Sequence, residues 1–192
     1  ILKEIKSISI GRFQNHSLLL FVHCRQLEVV QDRAFQNCHS MRRFTAPFLK
    51  QLGKACFDGC SSLTEITVEN VLLCQASCFA YCHSLNYLYF SKLEALPNMM
   101  FYFCYGLIQI RCPSLIDMDE TAFANCKRKV SVLTSNVVRG APNCTVSSQK
   151  LRFQEQLVDE FEERQTFRVM LKTQTGHAKH TTGLKAILTE VI

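Results

Sequence analysis

Residues 34–63 read AFQNCHSMRRFTAPFLKQLGKACFDGCSSL, and an F-x-x-C segment occurs twice within them, at Phe35–Cys38 and at Phe57–Cys60. The interval of 22 residues between the two continues along the chain in both directions. It places phenylalanine at Phe13, Phe35, Phe57, Phe79, Phe101 and Phe123. Cysteine follows each of these by three positions, except the first, where His16 stands instead. A fixed period of this length indicates one supersecondary unit that is stacked many times.

Each unit carries further apolar residues at constant distances from its phenylalanine, which we number as position 0. Positions +6, +9 and +11 are apolar in most units, as in Leu63, Ile66 and Val68. This spacing contains a period of two, which predicts a short β-strand with one buried face. Pro47 and Pro113 at +12 end the strand, because proline has no N–H to donate. One unit cannot bury its apolar side alone, so we predict parallel strands on one face of a solenoid and the phenylalanine-bearing arms on the other.

The L-x-x-L-x-L spacing, followed by the F-x-x-C arm, resembles the BspA-type leucine-rich repeat. The segments that carry the resemblance are Ala34–Cys38, Phe57–Leu63 and Ala122–Cys126. It covers residues 1 to about 140 and implies an α/β repeat solenoid, a curved leucine-rich-repeat horseshoe with parallel strands on one face. Such solenoids serve adhesion and protein–protein contact, and the resemblance implies no catalytic residues.

Two segments differ in composition. Residues 1–146 are predicted to form the solenoid, with a partial N-terminal repeat, six repeats and a degenerate seventh in which Val137 still fits position +14. The frame extends backward, so we expect the solenoid to continue N-terminally beyond Ile1. Residues 147–192 predict a helical C-terminal cap that begins with an amphipathic helix over about 148–165. A helix that docks on a partner is the alternative.

All eleven cysteines fall at four positions of the repeat, +3, +11, +17 and +21. Free cysteine behaves as a small buried hydrophobe, so we predict core packing, with disulfides and a zinc site as alternatives, and no metal or other cofactor. So many unpaired thiols favour a cytoplasmic location. Two glycosylation sequons, Asn15-His16-Ser17 and Asn143-Cys144-Thr145, point instead to the secretory route and leave the cell surface as the alternative.

Composition and motifs exclude several classes of function. The formal charge of +6 is dispersed, which does not favour a nucleic acid partner. No apolar run is long enough for a transmembrane helix. No phosphate-binding glycine loop, Ser-His-Asp order or H-E-x-x-H motif is present, so we predict that the protein is not an enzyme.

Positions +8 and +10 of each strand are predicted to point away from the core and are the candidates for binding. They form a surface that we call the strand face: Phe21, His23, Arg43, Thr45, Glu65, Thr67, Tyr87, Tyr89, Gln109 and Arg111. Aromatic residues together with arginine are typical of contact surfaces. We predict a non-catalytic scaffold that binds a protein partner through this face as part of a larger assembly. The alternative is a cell-surface adhesin that binds extracellular protein or glycan.

Overall fold

The computed structural model of the protein describes residues 4–147. Over this range the chain forms a solenoid of short strands joined by turns, and every strand pair is parallel. The strands are β1 (Ser7–Ile8), β2 (Phe21–His23), β3 (Val29–Val30), β4 (Arg43–Thr45), β5 (Gln51–Leu52), β6 (Glu65–Ile66), β7 (Leu73–Cys74), β8 (Tyr87–Tyr89), β9 (Ala95–Leu96), β10 (Gln109–Arg111), β11 (Asp117–Met118), β12 (Val130–Leu133) and β13 (Cys144–Ser147).

Each turn of the solenoid has three sides. The predicted strands at +8 to +10 form the first side, which runs from β2 to β12 in steps of one turn and ends with β13. A second strand column, from β1 to β11, occupies positions +16 and +17, and the sequence did not predict it. The arm around each F-x-x-C segment forms the third side.

No helix occurs among residues 4–147, so the expected α/β class is not supported for this part of the chain. The arms cannot be helical because a left-handed residue follows every arm phenylalanine by two positions and another precedes the first five, as Asn37 (φ 60°) and Arg33 (φ 54°) do around Phe35. The predicted C-terminal cap, including the helix over about 148–165, lies outside the described residues.

The 22-residue register keeps equivalent residues in line through the core. Phe21 pairs with Arg43 and Arg43 with Glu65, and every pair within the two strand columns up to β12 has the same offset. The six arm phenylalanines consequently form one stack in which neighbouring ring centroids lie 5.2, 5.4, 5.7, 5.7 and 5.5 Å apart. The predicted core columns are therefore buried up to the sixth unit, apart from the half-buried Phe13, Leu19, Ile66 and Cys126.

The register changes after that unit. β13 pairs with β12 so that Val130 lies opposite Cys144, an offset of 14 residues in place of 22. Val137, expected in the core at +14, is fully exposed, and the neighbouring Val138 is buried instead. The shorter final turn shifts which residue faces inward.

Backbone hydrogen bonds join the arms into a continuous ladder. The N–H of each phenylalanine donates to the carbonyl of the residue before the next one, as in Phe35 to Cys56 (2.8 Å) and Phe57 to Cys78 (2.9 Å). The same bonds recur at every step from Phe13 to Phe101. Position +2 is left-handed throughout, and Gly59 (φ 73°) suits it for a second reason, since a Cβ there would meet Asn37 Oδ1 at 2.5 Å.

Residues 4–147 contain no helix that could cross a membrane.

Candidate functional site

The structure places nine of the ten predicted strand-face residues in the first strand column, and Thr67 directly follows β6. Phe21, Arg43, Glu65 and Arg111 are exposed, and five others are half-buried: His23, Thr45, Thr67, Tyr87 and Tyr89. The prediction is wrong for Gln109, whose side chain is only 4% exposed. Gln109 lies between Tyr87 and Ser131 in the register, in the interior of the sheet, where side chains of the adjacent strands enclose it.

The first strand column is interrupted at its middle. β2, β4 and β6 form one sheet, and β8, β10, β12 and β13 form another. The second strand column is interrupted at the same boundary, between β7 and β9. The arm ladder crosses that boundary intact, because Phe57 N–H donates to Cys78 and Gly59 N–H to Ala80. The turns are therefore joined at the arms and by the Ser91 N–H, which donates to the Glu69 carbonyl (3.1 Å) at one end of the first strand column, whereas no hydrogen bond joins the strands themselves across the boundary.

Two residues on the C-terminal side of the interruption depart from the residue types of their repeat positions. Position +11 holds Cys24, Ala46, Val68 and Cys112 in the other units but Phe90 here, and the Phe90 ring is fully buried. A ring in place of a small side chain occupies more space between the strands. Position +18 donates a ladder hydrogen bond in the neighbouring units, as Gln75 does to Leu52 (2.9 Å), but Pro97 has no N–H to donate.

A cleft with a volume of about 270 Å³ lies at this interruption on the strand face. It is lined by Arg43, Phe44, Thr45, Glu65, Ile66, Thr67, Val68, Glu69, Tyr87, Leu88 and Tyr89. Six of these residues belong to the predicted strand face. No backbone hydrogen bond joins β6 to β8 in the described structure, so the edges of the two strands face each other across the cleft with unpaired groups. Such edges are templates for a further strand.

Charged and aromatic groups surround the cleft. Arg43 pairs with Glu65 through Nε–Oε2 (2.6 Å) and Nη2–Oε1 (3.0 Å), with both side chains more than half exposed. The Arg111 guanidinium lies 5.2 Å from the centre of the Tyr89 ring, a cation–π contact. Burial raises the pKa of Tyr87, although nearby Arg111 opposes the shift. Tyr87 therefore keeps its proton at neutral pH and presents a hydrogen-bond donor.

The cysteines at +3 are hydrogen-bond donors in the core. Each thiol donates to the carbonyl of the phenylalanine one turn earlier: Cys38 to Phe13 (3.1 Å), Cys60 to Phe35 (3.2 Å), Cys82 to Phe57 (3.2 Å), Cys104 to Phe79 (3.0 Å) and Cys126 to Phe101 (3.3 Å). The same carbonyl accepts the N–H of its own cysteine, as Phe57 does from Cys60 (3.2 Å). At the end of the series the Asn143 amide takes the place of the thiol and donates to Phe123 (3.3 Å).

This arrangement suppresses thiol chemistry. Burial raises the pKa of Cys38 and Cys126 to about 11 and holds the pKa of Cys60 and Cys82 well above its ordinary value. Thiolates are the reactive form, so these thiols are protected from oxidation. Ten of the eleven free cysteines are buried, and buried thiols of this kind are compatible with an oxidising location as well as with a reducing one.

The structure shows where the asparagines of the two sequons lie and how far the possible metal ligands are from one another. Asn143 uses its amide nitrogen inside the fold, which makes it a poor glycosylation acceptor, whereas Asn15 is exposed on the first arm. Over residues 4–147, no three histidine, cysteine or acidic side chains lie close enough to hold a metal ion.

Sequence reasoning missed the cleft and the residues that complete it. Glu69 lies just beyond the predicted strand, and Ile66 is half-buried although it belongs to a core column. The sequence feature that could have indicated the cleft is the presence of Phe90 and Pro97, which differ in type from the residues at the same repeat positions of neighbouring units.

Comparisons with known proteins agree with this architecture. Six copies of the family described as BspA type Leucine rich repeat region match residues 6–130. The solved structure of a leucine rich cell surface protein from Faecalibacterium prausnitzii A2-165 is similar, with a TM-score of 0.60 and 26% sequence identity. The similarity covers 69% of this chain and 39% of that chain. No curated protein matches the sequence.

The raised thiol pKa values predict a loss of stability at alkaline pH. Unfolded thiols ionise near pH 9, whereas Cys38 and Cys126 ionise near pH 11 in the fold. Between these values the unfolded state binds fewer protons, so the contribution of these thiols to the free energy of unfolding is fully present below pH 9 and is lost as the pH rises to 11. Thermal melts from pH 8 to 11 measure this decline. The Cys38→Ala, Cys126→Ala variant should show a shallower one, and an equally steep decline would contradict the assignment.

The interruption predicts fast amide exchange at β8. The amides of Tyr87 and Tyr89 should exchange with deuterium faster than those of Gln109 and Thr67. The latter occupy the same repeat positions and donate to Asn86 (3.2 Å) and Phe44 (3.1 Å). Residue-resolved hydrogen exchange of the free protein provides the comparison. Equal protection at the four amides would show that the strand column is continuous.

Proposed function

Since the chain belongs to the BspA-type leucine-rich repeat family, we propose that it is a non-catalytic cell-surface protein that binds an extended segment of a partner protein in the cleft of its strand face. The observation that carries the proposal is the interruption between β6 and β8. It provides two unpaired strand edges beside a cavity of about 270 Å³, on the face where the predicted binding residues lie.

The chemistry of the cleft favours a peptide partner. An extended segment can satisfy the free N–H and C=O groups of both strand edges by adding as a strand, which gives affinity without regard to sequence. Tyr87 and Tyr89 on one wall offer aromatic anchors of the kind that dominate interface energies. The Arg43–Glu65 pair on the opposite wall and Arg111 beside Tyr89 supply charged groups that select among segments.

The lining residues do not support catalysis. The cleft holds neither histidine nor cysteine nor serine, and its hydroxyl groups belong to Thr45, Thr67 and the two tyrosines. The Glu65 carboxylate is engaged in a two-point ion pair with Arg43. These residues suit recognition.

The surface location rests on the similarity to the F. prausnitzii cell surface protein, and the cytoplasmic expectation has no comparable support. The eleven free cysteines were the reason to expect a cytoplasmic location. Ten of them are buried, and burial raises the pKa of thiols such as Cys60 and Cys82, which suppresses their reactivity. An intracellular scaffold within a larger assembly remains the second candidate because so many thiols are unpaired. Labelling of intact cells with a membrane-impermeant amine reagent separates the two, since only a surface protein is labelled.

Replacing the aromatic and basic wall of the cleft should abolish partner binding while leaving the fold intact. The variant Tyr87→Ser, Tyr89→Thr, Arg111→Thr uses residue types found at the same repeat positions in other units, so its Tm should change little. Because each aromatic anchor contributes about 2 kcal/mol, the Kd for a partner identified by proximity labelling on intact cells should rise at least about 100-fold.

The matched control changes the second strand column instead. The variant Gln51→Ser, Leu73→Ser, Ala95→Ser alters three exposed residues of β5, β7 and β9 and should bind the partner normally. Equal loss of binding in both variants, or none in the first, would refute the strand face as the binding site.

A further inference from the structure

The arm side carries a second distinctive surface, away from the cleft. Five rings of the fourth and fifth arms form one cluster, which we call the arm platform: Tyr81, His83, Tyr102, Phe103 and Tyr105. Tyr81 stacks on Phe103 with centroids 5.2 Å apart, and His83 stacks on Tyr105 at 4.8 Å. Edge-to-face contacts join the two stacks, including Tyr81 with His83 (6.2 Å) and Phe103 with Tyr105 (5.8 Å). Tyr81 is 41% and Tyr105 45% exposed.

Non-glycine residues adopt positive φ at several arm positions, and in the platform two aromatic residues do so. Tyr81 and Phe103 both have φ 56° at position +2, where the other units hold asparagine or glycine: Asn15, Asn37, Gly59 and Asn125. Aromatic residues are disfavoured in this left-handed conformation, whereas asparagine and glycine adopt it readily. Strained residues that replace favourable ones concentrate at functional sites.

The first three arms carry polar side chains or glycine at the positions that hold the aromatic rings of the platform. Their outer surface is a polar ladder in which Gln14 Nε2 donates to Gln36 Oε1 (2.7 Å) and Gln36 Nε2 donates to Asp58 Oδ2 (2.8 Å). Asn37 Nδ2 likewise donates to Asn15 Oδ1 (2.9 Å). The aromatic cluster is therefore a local departure in two successive arms and is not required by the repeat.

The next arm places positive charge beside the platform. Lys127 follows His83 and Tyr105 at position +4, and Arg128 and Lys129 come directly after it, all three exposed. None of the three takes part in an ion pair of the described structure. The segments 80–86, 102–108 and 124–130, which make up this surface, contain no aspartate or glutamate. The surface therefore attracts anions.

The arrangement of the rings discriminates among anionic ligands. Tyr81 and Phe103 each cover one face of the other, as His83 and Tyr105 do, and edge-to-face contacts with Tyr102 occupy more of the ring surface. Bases of a single-stranded nucleic acid need open ring faces for stacking. Tyrosine hydroxyls, ring edges and cationic side chains instead provide donors for sulfate groups and sugar hydroxyls.

We propose that the arm platform, together with Lys127, Arg128 and Lys129, is a binding site for sulfated polysaccharide, separate from the peptide cleft. His83 takes part through its orientation: Nδ1 donates to the Phe103 carbonyl (2.8 Å), which fixes the ring against Tyr105. Lysine and arginine side chains donate charge-assisted hydrogen bonds to anionic oxygens such as those of sulfate groups.

The probe is a heparin dodecasaccharide titrated into the full chain and followed by calorimetry. Binding should weaken as salt is raised, because the cationic residues are exposed. The variant Tyr81→Asn, Phe103→Asn restores the residue type of the other arms, so its Tm should not fall, but its Kd for the dodecasaccharide should rise at least about tenfold. A second variant, Lys127→Ser, Arg128→Ser, Lys129→Leu, copies Ser61-Ser62-Leu63 of the third unit and should lose binding as well.

The charge-matched control is Lys6→Gln, Arg12→Gln, Lys54→Gln, which removes the same charge from exposed positions far along the chain and should bind normally. Equal weakening in this control would show attraction to net charge alone and would overturn the proposal. Unchanged binding in the asparagine variant would overturn it too. If that variant were unfolded, unchanged binding in the Lys127, Arg128, Lys129 variant would decide against the site. Tighter binding of a deoxythymidine oligonucleotide than of heparin would also overturn it.

Discussion

The hydrogen bonds between successive arms are the constraint on which the rest of the structure depends. They connect each arm to the next from Phe13 to Phe101 and keep the phenylalanine rings within 5.2–5.7 Å of their neighbours. Each phenylalanine carbonyl is shared between a backbone N–H and a donor from the next turn, a thiol in five cases and the Asn143 amide in the last. Few alternatives to cysteine fit this role, because the donor must be small and otherwise apolar.

A fixed arm side allows the other two sides to vary. Both strand columns open at the boundary beside Phe90 and Pro97 without separating the turns, because the arm ladder crosses it intact. The cost of unpaired backbone groups is limited where water reaches them, and a partner strand can pair with them. The outer surface of the arms also varies while the ladder behind it stays regular. There, the polar side chains of the first three units are replaced by the arm platform in the fourth and fifth. The repeat supplies the framework, and its exceptions supply the candidate sites.

The repeat was predictable because each core column holds one residue type over several turns. Phe57, Cys60 and Leu63 belong to columns that could be read directly. The second strand column was not predicted, because two-residue strands are too short to show an alternating pattern. The burial of Gln109 depends on its neighbours across the sheet, which sequence spacing does not describe. Phe90 stood out in its column, but size alone does not reveal whether a core rearranges or separates.

The central claim is that function resides in the interruption of the strand columns, and closing that interruption tests it most directly. The variant Phe90→Cys, Pro97→Gln gives both positions the residue types of neighbouring units and should allow β6 to pair with β8. The decisive measurement is the partner affinity of this variant. We expect this variant to remain folded, with some loss of stability because a buried ring is removed, and to bind the partner at least about tenfold more weakly. Slow hydrogen exchange at the Tyr87 and Tyr89 amides would show that the strands have paired in the variant. If the variant then bound the partner as tightly as the parent does, the result would contradict this claim.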